Sequence, residues 1–218
     1  MREFRLAELR HLPTPEPAAP PDPRGEGRWQ DSLGGGGCAQ LVPNHTHLIL
    51  VPSDEDGLRR ALAPTHRRSA GQVHTRLKRS GHFWQGRFGC VAMDDDHLAA
   101  ALVYVALNPV RAKLVDRAAD WRWSSTHAHL GLTEDDSLTA TGPVLERFPD
   151  LAARIAAGED LAMSERLRKA ETIGRPIGSA NFIANLERDS GRRLRAEKPG
   201  PKPKANESGG DQLNALSP

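Results

Sequence analysis

Between Pro13 and Pro23 the chain places six prolines, followed by Gly25, Gly27 and the unbroken run Gly34–Gly37. Prolines remove backbone donors and glycines supply no side chain to bury, so a segment of this kind cannot repay the entropy of ordering. This predicts no regular structure over residues 1–37 and a folded chain that begins near Cys38. The 218 residues, 38% of them hydrophobic, then leave room for one domain and a smaller extension. The longest apolar run, Leu98 to Leu107, is about half of what a membrane-spanning helix needs. The opening MREFRLAELRHLPTPEP lacks the apolar stretch of a secretion signal. Cys38 and Cys90 have no paired spacing, which points to a reducing cytoplasm rather than a disulfide scaffold or a CxxC zinc site.

Beyond that segment, Ala39 to Val51 reads as one strand, with Pro52 as its stop. Helical character follows from Leu58 to Lys78, with a break expected near Pro64 or Ser69. Phe83 to Met93 reads as a strand or hairpin. Asp94, Asp95 and Asp96 offer N-terminal carboxylates to a helix over residues 97–108, which Pro109 should end. A loop with Trp121 and Trp123 leads to a short helix near Ser125–Leu130. Residues 143–170 carry helical spacing, and a last helix spans Ser179–Arg188. The domain reading is therefore a segment 1–37, a core 38–131, a helical extension 132–188 and a basic tail 189–218.

Two His-x-His triplets occur, His45-Thr46-His47 and His127-Ala128-His129. Nine histidines predict about 0.4 such triplets by chance, so context must separate them. On a strand, residues i and i+2 share a face, and His45 with His47 can share one ion or simply face solvent. On a helix the same spacing turns the rings apart, which disfavours the second pair. The sole tyrosine, Tyr104, lies one helical turn before Asn108, so phenol and carboxamide share a face. A lone helix tyrosine is commonly a packing residue. Combined with the histidines, however, the set suits covalent phosphoryl transfer: two imidazoles and an amide oxygen leave open positions on a divalent ion beside a hydroxyl nucleophile. A phenol with pKa about 10 is only about 0.1% ionised at pH 7, so its attack needs assistance. Mixed nitrogen and oxygen donors fit Mg²⁺ or Mn²⁺, and histidine also accepts Zn²⁺.

The net charge of +2 says little about partners, but charge is unevenly placed. Between Asp56 and Asp94 no acid occurs, while Arg59, Arg60, Arg67, Arg68, Arg76, Lys78, Arg79 and Arg87 form a one-signed stretch suited to a phosphate backbone. Phe83, Trp84 and Phe88 interleave with it and offer stacking surfaces for unpaired bases. The competing reading is a solvated basic helix with its aromatics in the core. Further cations, Arg192, Arg193 and Arg195 among them, crowd the C-terminal tail.

Four motifs occur in order: Pro43-Asn44-His45-Thr46-His47-Leu48, Gly81-His82-Phe83-Trp84-Gln85-Gly86-Arg87-Phe88, Tyr104-Val105-Ala106-Leu107-Asn108-Pro109-Val110-Arg111-Ala112 and Trp121-Arg122-Trp123-Ser124-Ser125. Together they resemble the REP-associated tyrosine transposases, a bacterial branch of the single-tyrosine HUH transposases. The tail from Gly174-Arg175-Pro176 to Lys204 resembles that family's basic C-terminal extension. The resemblance implies a ferredoxin-like α/β sandwich with an antiparallel sheet, here missing its usual first strand and helix, plus a helical extension. It implies that His45, His47 and Asn108 hold Mg²⁺ or Mn²⁺ and that Tyr104 attacks a DNA phosphate to form a 5′-phosphotyrosine. The implied partner is single-stranded hairpin DNA, bound by the cations above together with Trp84 and Arg111, by a cytoplasmic monomer or homodimer with no membrane association. Loss of one strand and one helix would expose a sheet edge and put activity in question. The alternative is therefore a catalytically inactive, DNA-binding remnant. A metal-binding module unrelated to DNA is a third reading, disfavoured by the basic stretch.

Overall fold

The computed structural model describes residues 4–10, 33–86, 88–133 and 139–195. Four antiparallel strands form its sheet: β1 (Phe4–Arg10), β2 (Leu33–Val42), β3 (His45–Pro52) and β4 (Gly89–Met93), in spatial order β2-β3-β1-β4. Helix α1 (Gly57–Leu77) connects β3 to β4, and α2 (Asp95–Arg111) follows β4. After a 3-10 turn at Ala118–Asp120 come α3 (Thr126–His129), α4 (Gly142–Arg147), α5 (Leu151–Ala157), α6 (Leu161–Ile173) and α7 (Ala180–Ser190). The strand order is that of a ferredoxin-like sheet, as expected.

The first strand, however, is present. Phe4–Arg10 lies in the middle of the sheet, with Arg5 opposite both Leu50 on β3 and Ala92 on β4. The edge that its loss would have exposed is therefore filled. Its sequence hides it for a physical reason: a central strand is covered on both faces, so consecutive residues are buried rather than alternate ones. Leu6 enters the core of Ile49, Val91 and Leu102, while Ala7 joins Leu48, Leu50 and Leu62 on the opposite face. The helix expected to be missing between β1 and β2 falls on residues outside those described, as does the proline-rich run itself.

Other boundaries also shift. The single strand expected over Ala39–Val51 is a hairpin whose turn is Pro43-Asn44. Proline presets one turn dihedral and asparagine tolerates the other, so the pair breaks the run without interrupting its apolar character. Among the described residues of 83–93, Gly89–Met93 form the strand. Helix α1 runs through Pro64 without a break. Helix α2 continues through Pro109 to Arg111, because a proline in the last turn sacrifices one intrahelical bond. The chain then closes on the free carbonyls, with the amides of Ala112, Lys113 and Leu114 bonded to Asn108, Val110 and Pro109.

Helix α1 covers one face of the sheet through Ala61 and Leu62. The other face carries α2, and α5 and α6 close over it: Leu151, Ile155 and Leu167 share one core with Leu6, Ile49 and Leu102. Full burial of each such side chain is worth about 1.5–3 kcal/mol. The helical C-terminal part is thus built into the same core as the sheet. The Trp-Arg-Trp-Ser-Ser motif caps the outer edge of β2. The Leu41 amide bonds the Trp123 carbonyl at 3.0 Å, the Ser125 amide bonds the Ala39 carbonyl at 2.9 Å, and the Trp121 indole donates to the Leu41 carbonyl at 2.8 Å. Satisfying that edge removes a template for pairing with other chains.

Candidate active site

Strand geometry sends His45, His47 and Ile49 to the α2 side of the sheet, and Leu48 and Leu50 to the α1 side. On α2, Tyr104 and Asn108 are separated by one turn and face the same histidines. The Asn108 amide donates to His47 Nε2 at 3.0 Å and lies 3.4 Å from His45 Nε2. The His45 and His47 rings pack edge to face with centroids 4.7 Å apart, and the Tyr104 ring lies 5.5 Å from that of His47. All four side chains singled out from the two sequence segments thus meet at one place.

Each imidazole is oriented from behind. His45 Nδ1 is 2.7 Å from Asn44 Oδ1, which can only accept, so that ring carries its proton on Nδ1 and turns the Nε2 lone pair inward. His47 Nδ1 faces Glu171 Oε1 of α6 at 3.6 Å, with both side chains almost fully buried. Burial pushes the Glu171 carboxyl up to about 7, against the opposing pull of Arg10, Arg111 and Arg168. The Arg111 guanidinium lies 4.2 Å from the Tyr104 ring centre and Arg168 lies 6.0 Å from it; Arg111 is also paired with Glu159 at 2.7 Å.

The donor set fits a divalent cation. Adjacent ligands of an ion with bonds of about 2.1 Å stand about 3.0 Å apart, close to the separations between Asn108 and the two Nε2 atoms. Rotating the carboxamide exchanges its nitrogen for its oxygen at the same point. Among the described residues no group of three His, Cys, Asp or Glu side chains is arranged to hold a metal; beside the two imidazoles stands the carboxamide of Asn108.

The second triplet lies on a helix: His127 and His129 belong to α3, where i and i+2 side chains turn apart. The basic stretch is a separate surface. Arg59 and Arg60 are tied to Asp56 and Asp54 at 2.5 and 2.6 Å. Arg67, Arg68, Arg76, Lys78 and Arg79 are exposed on α1 and the turn after it, the helix whose Ala61 and Leu62 pack on the sheet face opposite the histidines. The aromatics beside them serve packing. Phe83 is buried, and Trp84 stacks on His66 at 4.3 Å and donates its indole N–H to the His66 carbonyl. Burial there lowers the His66 pKa to about 4. Arg87 lies outside the described residues. Arg192, Arg193 and Arg195 are exposed beyond α7, with Arg195 held by Glu187 at 3.2 Å.

Sequence reading missed Asn44, Arg10, Arg168 and Glu171. Glu171 left one signal. On α6 the buried stripe runs Ser164, Leu167, Glu171, so a carboxylate occupies a position where helical periodicity demands an apolar residue.

No family model matches the chain. A Haemophilus influenzae protein whose name assigns it to the REP-associated tyrosine transposases is 30% identical over 99 residues, which span 40% of this chain and 56% of that protein. The chain therefore spans little more than half the length of this curated relative. A solved structure of a REP-associated tyrosine transposase bound to a REP hairpin aligns over 64% of this chain and 87% of its own, with a TM-score of 0.43 and 15% identity. The curated relative bears the same family name that the four motifs suggest.

Proposed function

We propose that the chain cleaves and rejoins single-stranded or hairpin DNA through a covalent tyrosine intermediate, as a transposase of the REP-associated tyrosine type. The observation that carries this reading is the convergence of His45, His47, Asn108 and Tyr104 on one face of the sheet. His45, His47 and Asn108 would hold Mg²⁺ or Mn²⁺, which when bound supplies polarisation of the scissile phosphate. Tyr104 Oη attacks phosphorus, an Oη–P bond forms as the P–O3′ bond breaks, and the departing oxygen leaves as a 3′-hydroxyl. Attack by another 3′-hydroxyl reverses these bonds, joins the strands and returns the phenol. The Arg111 and Arg168 guanidiniums beside the phenol ring offer charge-assisted hydrogen bonds to the phosphate oxygens.

Labelled hairpin DNA incubated with the protein and Mn²⁺ is expected to yield a conjugate that survives a denaturing gel. Tyr104→Phe should abolish it while leaving DNA binding in place. Conjugates that persist in that variant would remove Tyr104 from the reaction.

One observation favours a second reading, DNA binding without cleavage. The Tyr104 residue is only 4% exposed and lies beneath Arg111, so DNA reaches the phenol only if this cover shifts. In that case the wild-type protein gives salt-sensitive binding and no conjugate with either metal.

A further inference from the structure

Glu171 is a costly residue where it stands. It lies on the inward stripe of α6, is buried to 7% exposure, and its Oε1 has no hydrogen-bond partner within 3.5 Å. A buried carboxyl oxygen without a direct bond is costly unless something compensates, and Arg10, Arg111 and Arg168 attract this group through space. His47 Nδ1 lies 3.6 Å from that oxygen. The same helix sends Arg168, one turn earlier, toward the Tyr104 ring. Helix α6 therefore touches both halves of the candidate centre, although it lies in the C-terminal part that reads from sequence as an extension.

We propose that Glu171 is a positioning residue for His47. It accepts the Nδ1 proton, fixes the tautomer that presents the Nε2 lone pair to Asn108, and so sets one arm of the ion site from outside it. Asn44 does the same for His45 through its side-chain oxygen, 2.7 Å from His45 Nδ1. The two supports differ in kind, since one is neutral and local in the turn, whereas the other is a carboxylate brought in across the fold. Metal-binding histidines commonly rely on such a second partner, and its removal costs about 10–100-fold in metal affinity. The inference rests on the proposed ion site.

The test uses the full chain and two readouts. The first is the ring-nitrogen chemical shifts of ¹⁵N-labelled histidine in the metal-free protein at pH 8, with the His47 signals assigned by their loss in His47→Ala. The second is Mn²⁺ affinity by calorimetry. In wild type His47 should be protonated on Nδ1. Glu171→Ala should mix the two tautomers and weaken Mn²⁺ binding about 10-fold or more. Glu171→Gln keeps a carbonyl acceptor at nearly the same volume, so it should preserve the tautomer and lose less affinity. Glu165→Gln, on the exposed side of the same helix, should change neither readout. An unchanged His47 tautomer in Glu171→Ala overturns the proposal, as does Mn²⁺ affinity within twofold of wild type. If wild type fails to bind Mn²⁺, or binds it equally after His47→Ala, the ion-site reading falls instead; the metal-free tautomer then still decides the role of Glu171.

Discussion

Gln40 sits directly across the β2–β3 ladder from His47, with no exposed surface and both amide atoms lacking partners. Cross-strand partners share a face, so this amide lies in the layer between the sheet and α2. Leaving such a group unbonded costs about 1–3 kcal/mol. Gln40→Met keeps the chain length and removes both orphaned atoms. The expected result is a gain of about 1 kcal/mol, read as a midpoint of thermal unfolding higher by about 2–4 °C. A lower midpoint would mean that the amide is bonded in solution. The residues that announced themselves in the sequence were those with unusual chemistry at a fixed short spacing, such as His45 with His47 or Tyr104 with Asn108. Gln40 stayed silent and Glu171 left only a break in helical periodicity, because their meaning depends on a neighbour across a sheet or on a distant strand.

Among the elements, α2 shows how a cap connects the site to its surroundings. Asp94 accepts from the His97 amide at 3.2 Å, from the His97 ring at 2.5 Å and from the Ser179 amide at 2.7 Å, so it starts α2 and also anchors the entry to α7. Burial raises its pKa, but the bonds from His97 and Ser179 outweigh that and leave it below the ordinary carboxylate range. Because the folded value is the lower one, the stabilisation is complete above the unfolded pKa and disappears as pH falls through the folded value. Asp94→Asn should cost about 1–2 kcal/mol at pH 7, and its difference from wild type should shrink toward pH 3 in urea denaturation. A constant difference would refute the linkage. The cap was legible in the triple aspartate, whereas β1 was not. A seven-residue strand with charges at both ends gains its identity from β3 and β4, and no local pattern records that.

At the scale of the whole molecule, basic side chains gather at two places, along α1 and on the histidine side of the sheet. Arg67 and Arg68 are exposed on α1, while Arg10, Arg111 and Arg168 attract the carboxyl behind His47. If DNA runs over α1, replacing Arg67 and Arg68 together by alanine should flatten the salt dependence of single-strand binding. The slope should change by about 1.4, since each phosphate contact contributes about 0.7. Fluorescence anisotropy across a salt series measures it, and an unchanged slope would assign the DNA path to the histidine side alone. Charge counting located the basic stretch but gave no information about which face of the sheet it occupies. The place of β1 has one more result. During synthesis the segment around Arg5 emerges well before its neighbours Leu50 and Ala92. The middle of the sheet must therefore wait for its flanks, and the growing chain carries an unsatisfied strand until β4 has left the ribosome.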